Sequence, residues 1–188
     1  MGSGAVTLIV VLGGLGWAAY AFNALVRDRN RVRAAWSDID VQLERRHALV
    51  PRLVEITRGY AAHERATLDA VTRAREESVG AGRVGEKSTA EGRLEHSVQR
   101  MLALAEAYPD LKADSTFLEL HQSLVDTENR IQHARRYYNG AVRMLNTRIE
   151  SFPDLVVARA FRFTLAEFFQ VEAEDNRDAP RMEKTWRS

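Results

Sequence analysis

The chain has 188 residues, and its 27 Lys and Arg against 26 Asp and Glu leave a formal net charge of +1, so no global field recruits nucleic acid or an acidic substrate. It contains no cysteine, which excludes disulfides, thiolate catalysis and cysteine-ligated zinc or iron–sulfur sites. Setting aside an apolar N-terminal run and a polar C-terminal stretch leaves about 145 residues, enough for one domain with a core.

Residues 1–4 form a short polar lead. From Ala5 to Val26 the chain is almost continuously apolar, and a run of ~20 such residues at 1.5 Å rise each spans a hydrocarbon core of about 30 Å. Trp17 and Tyr20 lie toward its C-terminal end, where amphipathic rings favour the headgroup level. Arg27, Arg29, Arg31 and Arg33 follow at once, while no Lys or Arg precedes the run, so the positive-inside bias predicts an outward N-terminus and a cytoplasmic body. Ala19-Tyr20-Ala21 also fits a signal-peptide cleavage site, but the basic n-region is lacking and the arginines beyond it oppose export. A retained anchor over 5–26 is the expectation.

The body has helical spacing. Val32, Trp36, Ile39, Leu43, Val50, Leu53, Tyr60 and Val71 fit a heptad ladder whose other rungs, Arg46, Thr57, Glu64 and Thr67, are polar and are expected to weaken the seam. Pro51 cannot donate to the His47 carbonyl, so a kink or tightening is expected there, with one rod running from the bilayer to about Ser78. Gly80, Gly82 and Gly85 mark a reversal. A second helix is expected from about Glu86 to Ala107, ending before Pro109, which disfavours helical geometry at Tyr108. Asp114 is read as the N-cap of a third long helix with Phe117, Leu120, Leu124, Ile131, Tyr138, Val142, Leu145 and Ile149 on one face, running on to Phe152. Pro153 should bend the chain into a final apolar helix over Leu155 to Phe169. The residues 173–188 are expected to be a disordered polar tail.

A set of landmarks now stands in order: Ala35-Trp36-Ser37-Asp38-Ile39-Asp40, Leu49-Val50-Pro51-Arg52-Leu53-Val54-Glu55, Gly59-Tyr60-Ala61, His63-Glu64, Glu106-Ala107-Tyr108-Pro109-Asp110, Thr127-Glu128-Asn129-Arg130, Ala134-Arg135, Tyr138-Asn139 and Phe152-Pro153. Taken together they resemble the LemA family of bacterial membrane-anchored proteins, over roughly Ala5 to Glu172. The resemblance implies an all-α fold, a single transmembrane helix continuing into an antiparallel bundle of about four long helices over 27–172. It also implies kinship with proteins associated with magnetosome membranes, and no enzymatic activity established for the family as a whole. One departure is Arg162 before Phe163, where the family commonly has Gly.

His63-Glu64 starts like a zinc-peptidase helix, but Thr67 stands where the second imidazole is needed. Glu44 and His47 have the Glu-x-x-His spacing of carboxylate-bridged bundle sites, yet no second copy of the motif accompanies them. His121 and His133 are about 120° apart around a helix and do not share a ligand face. Asp38, Asp40 and Glu44 read as solvated helix charges. Glu128, Asn129, Arg135 and Asn139 are candidates for one buried hydrogen-bonded network that fixes register. No catalytic residue, metal or cofactor is expected. The functional expectation is a scaffold whose partners are anionic lipid headgroups at the arginine collar, further copies of the chain and other membrane proteins, with a metal-dependent bundle enzyme or a membrane-shaping module as the alternatives.

Overall fold

The computed structural model describes residues 2–170. All regular structure among the described residues is helical. The backbone is one helix, α1 (Ser3–Tyr60), of 58 residues, which carries the apolar run at its head and the body along the rest. Then come α2 (Arg65–Gly80), α3 (Val84–Leu104), a single 3-10 turn at Ala105–Ala107, a short α4 (Pro109–Ala113), α5 (Ser115–Glu150) and α6 (Asp154–Ala160). The expected tail over 173–188 lies outside the described residues.

α5 lies antiparallel to α1 for its whole length. Tyr60 meets Asp114, Arg46 meets Glu128, Trp36 meets Tyr138 and Asp28 meets Arg148, so the register holds from one end of the pair to the other. Two apolar clusters grow on this pair. One, toward the apolar head, joins Leu25, Val32, Ile39 and Leu43 to Ile131, Tyr138, Val142 and Leu145. The other, toward the far end, joins Val50, Leu53 and Val54 to Leu68, Val71, Leu94, Met101 and Leu124.

The rod does not reach Ser78. It stops at Tyr60, and α2 folds back along α1 so that Arg75 and Ser78 lie beside His47. Beyond Val54 the ladder has polar rungs at Thr57 and Glu64, so a straight continuation would leave Leu68 and Val71 without apolar partners. Folding back buries both in the cluster that holds Leu53 and Val54. Pro51 does not end α1, and the carbonyl it orphans is satisfied: Arg75 Nε donates to the His47 oxygen at 2.8 Å from α2. Asp114 caps α5 as the sequence predicts, its carboxylate accepting from the Phe117 amide at 2.9 Å.

The last expected helix is corrected more sharply. Only Asp154–Ala160 is helical; residues 161–162 turn, and residues 163–170 run without regular structure along α1 and α5 as a strap. Helix α6 ends because Arg162 takes φ 55, and the Phe163 amide then donates back to the Ala158 carbonyl at 2.9 Å while the Arg162 amide reaches Arg159 at 3.2 Å. This is a Schellman stop, with Arg162 at the left-handed position that usually carries Gly.

Candidate functional site

The boundary between the two clusters is a charged layer. Arg46, one of the polar rungs, is 3% exposed and His47 is 9% exposed. Glu91 of α3 faces both: its Oε1 accepts from His47 Nε2 at 2.7 Å and from the Ser78 hydroxyl, and its Oε2 accepts from the Arg46 guanidinium. The second guanidinium nitrogen of Arg46 donates to Glu128 of α5 at 2.8 Å. One layer thus ties α1, α2, α3 and α5 together. Burial alone would push the Glu91 carboxyl up, but the His47 hydrogen bond, the Arg46 charge and the Ser78 hydroxyl overcome it and hold the group at about 2. Glu95, one turn further along α3, is pushed up by burial and by the Glu128 charge, and burial lowers Arg135.

The polar rung read as a weak point is therefore the centre of a clamp. Glu91 carries no motif in the sequence, although it lies three residues before Leu94 on the apolar face of α3. The Glu44 and His47 pair does not converge: Glu44 is exposed, whereas His47 is taken up by Glu91 and Ser78. Among the described residues no three His, Asp or Glu side chains are grouped to hold a metal ion.

The expected single network on α5 is divided. Glu128 serves the Arg46 layer, Asn129 is exposed, and Asn139 holds the strap. Arg135 stacks over Phe169 with its guanidinium carbon 5.4 Å from the ring centroid. Asn139 exchanges two hydrogen bonds with the backbone of Phe169, at 3.0 and 2.9 Å, and Asn146 does the same with Ala166, both at 2.9 Å. The two side chains are a heptad apart, about 10.5 Å along the helix, and three residues of extended chain cover about 10 Å. The spacings match, so each Asn acts as the neighbouring strand the strap lacks. Tyr138 OH donates to the Glu167 carbonyl at 2.9 Å, and Trp36 packs on Tyr138 and Phe169 at 5.5 and 6.0 Å.

The remaining landmark residues fall into three places. At the far end Tyr60 donates to Asp114 at 2.8 Å and Tyr108 to Glu64 at 3.3 Å; Glu106 pairs with Lys112, while Glu55, His63 and Pro109 are exposed. The phenols of Tyr60 and Tyr108 are raised, the first by its hydrogen bond to Asp114 and the second by burial, then by Glu64. On the outer face of the α1–α5 pair, Asp38, Val41 and Gln42 oppose Arg130, His133 and Tyr137 across a groove of about 400 Å³. Asp40 points the other way, to Lys87 at 3.1 Å. Near the apolar head, Arg29 lies over Phe163 at 5.1 Å, Arg31 sits 3.7 Å from Asp28, and Arg27, Arg33 and Tyr20 are exposed. Trp17 is half-covered by the first cluster, whereas Phe152 and Pro153 are exposed at the turn into α6.

These features define a class: an antiparallel helical bundle built directly onto one long helix whose head is long and apolar enough to cross a bilayer. The chain belongs to the LemA family, whose model matches residues 35–183. Magnetosome protein MamQ of Magnetospirillum gryphiswaldense is 26% identical over 90% of this chain and 74% of its own length. Magnetosome protein MamQ 2 of Paramagnetospirillum magneticum is similar to the same degree, 26% over 90% of this chain and 74% of its own. Protein LemA of Metamycoplasma hominis is 26% identical over 79% of this chain and 68% of its own length.

Proposed function

We propose that the chain is a non-enzymatic scaffold, held by α1 in a bacterial inner membrane or an invagination of it, with the N-terminus outside and the bundle on the cytoplasmic side. The observation that carries this reading is the continuity of α1: one unbroken helix leads from the apolar head into the core, and α5 braces it from Asp28 to Tyr60. A body coupled this rigidly to its span keeps a fixed attitude to the bilayer, which suits a platform for assembly. The arginine collar meets anionic headgroups, and the α1–α5 groove, with Asp38 on one wall and Arg130 and His133 on the other, offers a mixed-charge seat for a second copy or another membrane protein. The kinship with proteins named for the magnetosome supports a place on a membrane-derived compartment.

Crosslinking in native membranes, followed by sizing of the purified protein in detergent at micromolar concentration, tests this. We expect self-crosslinked species and a particle larger than one protomer, both lost when Tyr137→Glu and Val41→Glu charge the groove. A strictly monomeric particle with no crosslinked neighbours overturns the scaffold reading.

A further inference from the structure

We infer that the turn from α5 into α6 and the start of the strap form a second lipid contact, with Phe152, Val156 and Phe161 seated at the boundary between hydrocarbon and headgroups. This rests on the reading of α1 as a membrane span. The three side chains are 83%, 57% and 60% exposed, the most open group of large apolar residues on the body. They stand together at one level. The α1–α5 register that pairs Asp28 with Arg148 carries Phe152 to about the turn of Ala24, Phe161 packs at a tilt against Phe22 with 4.7 Å between centroids, and Val157 and Ala158 are buried in the cluster that holds Ala21 and Leu25.

Lengths make the lipid the fitting occupant. From Ala5 to Tyr20 the helix has no buried residue, and this stretch covers about 24 Å, short of the ~30 Å of a hydrocarbon core. The remaining depth falls at Ala21 to Leu25, which α6 and its flanks already sheathe. On the covered side of α1 the surface that faces lipid is there the outer side of the sheath, which is Phe152, Val156 and Phe161, while Asn23 stays exposed on the other side. Arg159 and Arg162 are exposed among them, with stems long enough to raise their charges to anionic headgroups. A ring of aromatic and basic residues at this level is what an interface selects. By contrast, Val79, Leu118 and Val125, also open, lie on the far half and are less exposed.

The chain has no cysteine, so single-cysteine variants of the full protein can be labelled cleanly. Phe152→Cys, Val156→Cys and Phe161→Cys, each carrying an environment-sensitive fluorophore, are compared with Val10→Cys in the span and Leu118→Cys on the far half. The protein is reconstituted in phosphatidylcholine vesicles containing phosphatidylglycerol and nitroxide-labelled lipid. We expect blue-shifted emission and quenching several-fold stronger than at Leu118 for all three positions, together with strong quenching at Val10. Quenching at Val10 alone overturns the second contact and leaves the span standing. Absence of quenching at Val10 removes the span and this inference with it. A blue shift at the three positions that lipid nitroxides do not quench, and that fades as protein is diluted in lipid, assigns the patch to a second copy and overturns the lipid contact.

Discussion

In the half of the bundle remote from the apolar head, α1 and α5 are covered by the α2–α3 hairpin; in the half beside it, they are covered by α6 and the strap 163–170. The hairpin satisfies its own backbone, and its attachment combines apolar burial from Leu68, Val71, Leu94 and Met101 with the contacts of Glu91, Ser78 and Arg75 to α1. The strap has no such internal ladder. Its backbone hydrogen bonds to side chains of α5 and, at the Gln170 carbonyl, to the Ser88 hydroxyl of α3, and its burial rests mainly on Phe169, 1% exposed. The far half is therefore expected to open only with global unfolding, and the near half to open locally at lower cost. The charged layer of Arg46, Glu91 and Glu128 separates the two and belongs to both.

Cutting that layer breaks the comparison most severely. Glu91→Ala takes the buried carboxylate from His47 and leaves Arg46 with Glu128 alone, and losing one partner of a buried pair costs about 3–5 kcal/mol. Thermal or denaturant unfolding of the detergent-solubilised protein should show both halves losing stability together. Replacing Arg46 and Glu91 jointly by Met and Leu should recover part of the loss, because the two buried charges go together and the half-buried Glu128 keeps its hydrogen bond from Gln132. A drop below ~1 kcal/mol for Glu91→Ala would mean that the layer clamps nothing.

Acid reads the same layer without mutation. The Glu91 pKa is lowered on folding, from 4.5 to about 2, so its stabilisation is fully present above pH ~4.5 and is lost as pH falls toward 2. The shift corresponds to something on the order of 3 kcal/mol. Glu95, raised by burial and by Glu128, acts with the opposite sign, since a folded state that prefers the protonated acid gains as pH falls. Stability against pH, compared between the native chain and Glu91→Gln, isolates the first effect: the variant should lose the steep fall below pH ~4.5.

The residues concerned show what the sequence reveals and what it does not. Helix periodicity exposes α1, α3 and α5 because their buried faces repeat through Val32, Leu94 and Leu145, and Asp114 announces the start of α5 through a local cap. The polar rungs at Arg46 and Thr57 look like defects until Glu91 comes opposite Arg46, a pairing that spans 45 residues and leaves no local trace. The strap is hidden for a related reason. Leu155 to Phe169 has apolar content suited to a helix, but Asn139 and Asn146 offer its backbone an alternative partner, and only the register of α5 shows that their spacing suits an extended chain. Arg75 and Pro51 form a third such pair, in which a missing donor on α1 is supplied from α2.

Asn139→Ala and Asn146→Ala sharpen the contrast between the halves. Each removes two hydrogen bonds and leaves strap groups unmatched, at about 1–3 kcal/mol. Hydrogen exchange should accelerate more than tenfold at the Ala166 and Phe169 amides, while protection of α2 and α3 is unchanged. Equal acceleration in the hairpin would show that the halves open as one unit. In the far half, Arg75→Ala should cost about 1 kcal/mol by exposing the His47 carbonyl, and less in a Pro51→Ala background, where the restored amide of residue 51 serves that carbonyl itself.

The smallest effect concerns the stop of α6. Arg162 holds φ 55 at the left-handed position of the Schellman turn, where a side chain bearing Cβ pays roughly 1–2 kcal/mol that Gly avoids. Gly offsets part of this through its greater freedom in the unfolded chain, roughly 0.5–1 kcal/mol. Arg162→Gly, the residue common in the LemA family at this place, should therefore stabilise the near half by a few tenths to about 1 kcal/mol and slow exchange at the Phe163 amide, which closes the turn onto Ala158. The far half should not respond. A loss of stability in Arg162→Gly would mean that the Arg162 side chain contributes more through its charge than its backbone costs, and measuring the variant in vesicles with and without phosphatidylglycerol separates the two: a headgroup contribution disappears with the anionic lipid, whereas backbone relief does not.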